Sequence, residues 1–69
     1  MKIFQITNLG VRLARSIRSP ETPSTKIIYY LDMRGSATLD QIVSYTGMDG
    51  GTVSSALRRL GKMGAVKEV

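Results

Sequence analysis

The stretch 37–60, ATLDQIVSYTGMDGGTVSSALRRL, holds two apolar stripes at helical spacing with a turn between them. Thr38 is placed to cap a first helix, and Gln41 three residues on completes a capping box, each side chain taking up a backbone N–H that the helix leaves free. Leu39, Ile42 and Val43 then fall on one face of that helix. Gly47 predicts its stop, because a glycine just past the last helical residue adopts the left-handed conformation without the penalty of a Cβ. Thr46, Gly47 and Met48 make the turn, and Asp49 is the expected cap of the second helix. In that helix Val53, Ala56, Leu57 and Leu60 recur at i, i+3, i+4 and i+7, one continuous stripe. Two short amphipathic helices joined in this way form a helix-turn-helix pattern.

The opposite face of the second helix carries Ser54, Ser55, Arg58, Arg59 and Lys62, with no carboxylate in the helix after Asp49. A solvated helix gains from mixing both signs at i,i+4 spacing, so a face of one sign predicts an anionic partner. Composition points the same way. Ten Lys and Arg against five Asp and Glu give a net charge of +5 and a pI near 10.1, a balance suited to nucleic acid or another anionic surface. Asp40 and Asp49 fall in or before first helical turns, where capping and the macrodipole account for them, so the basic face keeps its charge.

The chain of 69 residues allows one domain, 1–69, and a domain this small buries only about 60% of the surface its unfolded chain exposes. There is no cysteine and no histidine, which excludes disulfides and the common zinc sites; no metal or cofactor is expected. Without those residues, catalysis would need paired carboxylates or an activated lysine, and the acids are scattered over caps and ends. Gly50-Gly51 also lacks the Lys and Ser or Thr that follow in a phosphate-binding loop. The expectation is therefore a protein that is not an enzyme. No apolar run approaches the roughly 20 residues that span a bilayer, and the N-terminus lacks the apolar centre of a signal peptide. A cytoplasmic location with no membrane partner follows as an expectation.

Working outward, residues 2–7, KIFQIT, are rich in β-formers and predict a strand with Phe4 and Ile6 on one side. Thr7 is a candidate cap for a helix in which Leu9, Leu13 and Ile17, with Ala14 beside them, are expected to face inward; Gly10 weakens it. Arg12, Arg15 and Arg18 recur along its other side, either as a solvated face or as a supporting phosphate contact. Residues 19–24, SPETPS, are a turn cluster. Thr22 as cap and Pro23 in the first helical position begin another helix, with Ile27, Ile28 and Leu31 on its apolar face and Gly35 at its end. Tyr29 and Tyr30 read as partly buried packing residues. Gly64 is the expected stop of the last helix, and residues 65–69, AVKEV, a short strand.

The succession TLDQIVSYTGMDGGTVSSALRRLGKMGAV resembles the winged-helix family of DNA-binding domains, of the kind found in small bacterial and archaeal transcription regulators. The likeness covers residues 22–69; Gly47, the Val53 to Leu60 stripe and the exit through Gly64, Ala65 and Val66 are its most specific parts. The fold it implies is mainly α with a small β-sheet: a winged helix-turn-helix of three core helices, plus an N-terminal helix and a two-stranded antiparallel sheet formed by the chain ends. A winged helix normally runs from its first wing strand through a hairpin into a second. Here the strand that ends in T-x-x-G, Thr7 to Gly10, stands at the N-terminus instead. Residues 1–19 thus read as a permuted wing pairing with residues 65–69, or equally as the remnant of a preceding winged domain.

By position, the resemblance implies that the second helix of the motif enters the major groove, with Thr52, Ser54, Ser55 and Arg58 facing bases. Gly50, Gly51, Arg59, Lys62 and Lys67 would meet phosphates, the two glycines through backbone N–H groups at the positive end of the helix. Double-stranded DNA is the implied partner, a homodimer is allowed, and transcription regulation is the implied role. The alternative is an RNA-binding or protein-interaction winged module of a larger replication, transcription or tRNA-related protein, because fold alone does not fix function.

Overall fold

The computed structural model describes residues 2–69. Seven elements follow in the order β1 (Ile3–Ile6), α1 (Asn8–Ser16), α2 (Pro23–Arg34), β2 (Ser36–Thr38), α3 (Leu39–Thr46), α4 (Gly50–Met63) and β3 (Val66–Glu68). The protein is mainly helical with a small antiparallel sheet.

Local chemistry sets the helix ends. Thr38 Oγ1 accepts from the Gln41 N–H at 3.2 Å while Gln41 Oε1 accepts from the Thr38 N–H at 2.9 Å, which starts α3 with two orphan donors satisfied. Thr22 and Thr25 make the equivalent box at the start of α2, with Pro23 in its first turn. Gly47 and Gly64 close α3 and α4 at φ 71° and 82°, in the left-handed region that glycine enters without strain.

The core forms where α2 crosses α4 and α3. Ile27 and Leu31 of α2, Ile42 of α3 and Val53 of α4 are its least exposed large side chains. Val53, Ala56, Leu57 and Leu60 are all buried, so α4 presents the stripe its sequence predicts. The neighbouring Tyr30 is buried as well, its ring stacked on Tyr45 at 4.2 Å between centroids, with the Arg34 guanidinium 5.8 Å above it. Tyr29, by contrast, is 40% exposed.

The sheet has three strands, not the expected two, in the order β2-β1-β3. The expected pairing is present: β1 and β3 run antiparallel in the register Phe4↔Glu68, Gln5↔Lys67 and Ile6↔Val66, and the Val69 N–H donates to the Ile3 carbonyl at 2.8 Å. The addition is β2, which pairs along the other edge of β1 as Ile3↔Thr38, Phe4↔Ala37 and Gln5↔Ser36. Gly35, at φ 82°, turns the chain out of α2, and its carbonyl accepts from the Ile6 N–H at 3.0 Å. A strand in the middle of a sheet has no free edge, so β1 is paired along both sides.

The buried face of α1 departs from expectation in its first turn only. Ala14 is buried and Leu13 and Ile17 pack against the core as expected, but Gly10 is buried there while Leu9 is 39% exposed. The helix backbone comes so close to Ala65, just before β3, that a Cβ on Gly10 would overlap its carbonyl oxygen and the Ile6 side chain. Thr7 fixes this approach. Its hydroxyl donates to the Gly64 carbonyl at 2.6 Å and accepts from the Gly10 N–H at 3.2 Å, while its own N–H donates to the Ala65 carbonyl at 3.0 Å. Thr7 and Gly10 thus join the start of α1 to the exit of α4.

Candidate nucleic-acid interface

With Val53, Ala56, Leu57 and Leu60 turned into the core, 100° per residue leaves the remaining positions of α4 facing outward. Gly50, Gly51, Ser54, Ser55, Arg58, Arg59 and Lys62 are exposed and Thr52 is half-buried. These residues lie on one exposed helix face that borders two concavities. Ser54 and Arg58 line a groove against the sheet, where Lys2, Lys67 and Glu68 form the other wall. Thr52, Ser55 and Arg59 line a separate cleft against Thr22 and Ser24 at the start of α2. Lys62 projects between the two flanks. The sheet therefore brings Lys67 beside Arg58, and it adds Lys2. The α2 hydroxyls beside Arg59 were not foreseen, because only the packing of α2 on α4 brings them there.

One ion pair occurs among the described residues, between Lys2 Nζ and a Glu68 carboxylate oxygen at 4.0 Å, with both side chains more than half exposed. An exposed pair of this kind contributes about 0 to 1 kcal/mol. Arg58, Arg59, Lys62 and Lys67 have no salt-bridge partner among the described residues. Their charges are available to an outside anion.

The start of α4 is held by Asp49, whose carboxylate accepts from the Thr52 hydroxyl at 2.7 Å and the Thr52 N–H at 3.2 Å. Those hydrogen bonds hold its pKa below the ordinary value, the hydroxyl making the larger contribution. A depressed carboxylate pKa stabilises the fold above the unfolded-state value, and that stabilisation is lost as pH falls through the folded-state pKa. Acidification is thus expected to loosen the first turn of α4, seen as faster amide exchange at Thr52. In Asp49→Asn, which keeps a capping oxygen without the charge, that step should vanish; an unchanged step would assign it to another carboxylate. Gly50 is not demanded by the fold, whereas a side chain at Gly51 would crowd the capping carboxylate. A Cβ on Gly50 would meet nothing within 4 Å, and one on Gly51 only the Asp49 carboxylate at 3.2 Å.

Arg12, Arg15 and Arg18 are exposed, on α1 and just past its end. Among the described residues no three His, Cys, Asp or Glu side chains are grouped so as to hold a metal ion, and no helix is long and apolar enough to cross a membrane. No family model, curated protein or solved structure matches the chain.

Proposed function

We propose that the chain is a winged-helix domain that binds double-stranded DNA, with α4 as the helix that enters the major groove and transcription regulation as its role. The observation that carries this reading is the outer face of α4, which is exposed, basic and without an ion-pair partner among the described residues. A major groove about 12 Å wide admits one α-helix, and its base edges carry a distinct donor and acceptor code. The sheet order supports the permuted form of the fold. With β1 between β2 and β3, the first strand of the chain takes the part of the second wing strand, antiparallel to β3. Lys2 and Lys67 then flank Arg58 as wing cations.

In this reading Thr52, Ser54, Ser55 and Arg58 face bases, and Arg58 is the residue able to make a bidentate contact with guanine. Gly50, Gly51, Arg59, Lys62 and Lys67 meet phosphates. The open space beside Gly50 supports a role for its bare backbone, since the fold itself would accept a side chain there. A homodimer on paired half-sites fits the same mode of binding, and the cytoplasm is its proposed location.

Titration of duplex DNA, duplex RNA and single strands tests the reading. On a cognate duplex Arg58→Ala should cost about 1 to 3 kcal/mol and relax preference at one base position. Lys62→Ala should weaken all duplexes alike and reduce the salt slope of log K by about 0.9. Equal losses for Arg58→Ala on cognate and random DNA would remove it from the base-reading set. Tighter binding of RNA or single strands than of duplex DNA would favour the RNA-binding alternative.

A further inference from the structure

A third recess lies where the last turn of α4 meets α1 and α2. Leu13, Ile17, Ile28, Leu60 and Met63 make it largely apolar. Ser16 stands at its edge with its hydroxyl already donating to the Leu13 carbonyl at 2.8 Å. Met63 is 53% exposed and Leu9, one turn before Leu13, is 39% exposed, so apolar surface continues beyond the recess itself. Both walls carry cations. Arg12 stands one turn before Ser16 on α1, and Arg59 one turn before Met63 on α4. Neither has a salt-bridge partner among the described residues.

An apolar floor with one unpaired arginine on each side selects its occupant. A second copy of this chain would bring the same sign of charge to the rim, which opposes association. Nucleic acid would leave the apolar floor unused, and a bilayer is met by protruding apolar side chains rather than by a recess. A helix with apolar residues at i, i+4 and i+7 fills such a groove, and acidic residues beside that stripe reach the cations on each wall. We infer that this groove docks an acidic amphipathic helix of a partner protein. The inference does not rest on DNA binding, and each can fail without the other.

The test uses isotope-labelled protein and a synthetic helical peptide of about 15 residues, the length at which isolated helices become viable, with leucines at i, i+4 and i+7 and glutamates between them. Shift changes are expected at Leu9, Leu13, Ile17, Ile28 and Met63 and not at Ser55. Met63→Ser, at an exposed position the fold does not need, and Arg12→Glu should each weaken the peptide by about tenfold, the effect of losing one anchor in such an interface. A peptide of the same composition with the leucine spacing scrambled should bind far more weakly. Equal binding of the scrambled peptide, shifts spread over the outer face of α4, or no binding at millimolar peptide would overturn the inference. So would shift changes at these five residues on concentrating the protein alone, which would assign the groove to a second copy. Tighter capture by vesicles of anionic lipid through the same residues would assign it to a membrane, with the same result.

Discussion

Leu57→Ala is expected to remove about 2 to 5 kcal/mol of stability, the largest effect of any single truncation considered, and to leave much of the protein unfolded at ambient temperature. The side chain is 4% exposed and belongs to the stripe by which α4 packs on the core. Its loss forfeits both transfer free energy and the contacts of the cavity left behind, and so small a domain holds little in reserve. Urea or thermal unfolding checks this, with Ser55→Ala on the outer face of the same helix as the control, expected within about 0.5 kcal/mol of the parent. In a domain of this size each kcal/mol shifts the melting temperature by about 4 to 8 °C. A shift of a degree or two for Leu57→Ala would mean that α4 packs through another face.

Gly10→Ala should also destabilise, against the direction that helix propensity alone predicts. Alanine in place of glycine inside a helix gains about 1 kcal/mol. Here the added methyl would overlap the Ala65 carbonyl oxygen, a backbone atom held by the hydrogen bond from the Thr7 N–H. Neither side can yield as a flexible side chain would. Overpacking of this kind typically costs about 1 to 3 kcal/mol, and against a backbone atom it exceeds the propensity gain to leave a net loss of up to about 2 kcal/mol, which should separate α1 from Ala65 before the core opens. Amide exchange at Thr7 and the unfolding midpoint report the two parts. A raised melting temperature would show that the close approach of α1 to Ala65 is absent in solution.

The helices were legible because their determinants are local. Thr22, Thr38 and Asp49 cap through hydroxyl or carboxylate groups that reach only three residues on, and the left-handed glycines end α3 and α4 without reference to the rest of the chain. Strand β2 was not legible. It has three residues, too few for an alternating pattern, and its last residue, Thr38, is also the cap of α3. Only the presence of β1 beside it makes it a strand. The first turn of α1 was misread for a related reason, while Leu13, Ala14 and Ile17 do face the core: leucine spacing favoured Leu9, but a glycine permits the closest approach, and what it approaches is 55 positions along the chain. At the candidate site, periodicity sufficed to separate the outer face of α4 from its stripe. That Ser54 and Arg58 share one flank with Lys2 and Lys67, while Ser55 and Arg59 share another with the start of α2, depends on which element packs on each side. No spacing within α4 carries that information.

A chemical-shift map of the isotope-labelled protein against a pool of DNA duplexes tests the proposed role of α4 most directly, since it reports binding and the face used at once. The proposal requires the largest changes at Gly50, Gly51, Ser54, Ser55, Arg58 and Lys62, with smaller ones at Lys2 and Lys67, and affinity that falls steeply as salt is raised. Changes confined to α1 and the groove beside Met63, or none at low salt, would contradict it.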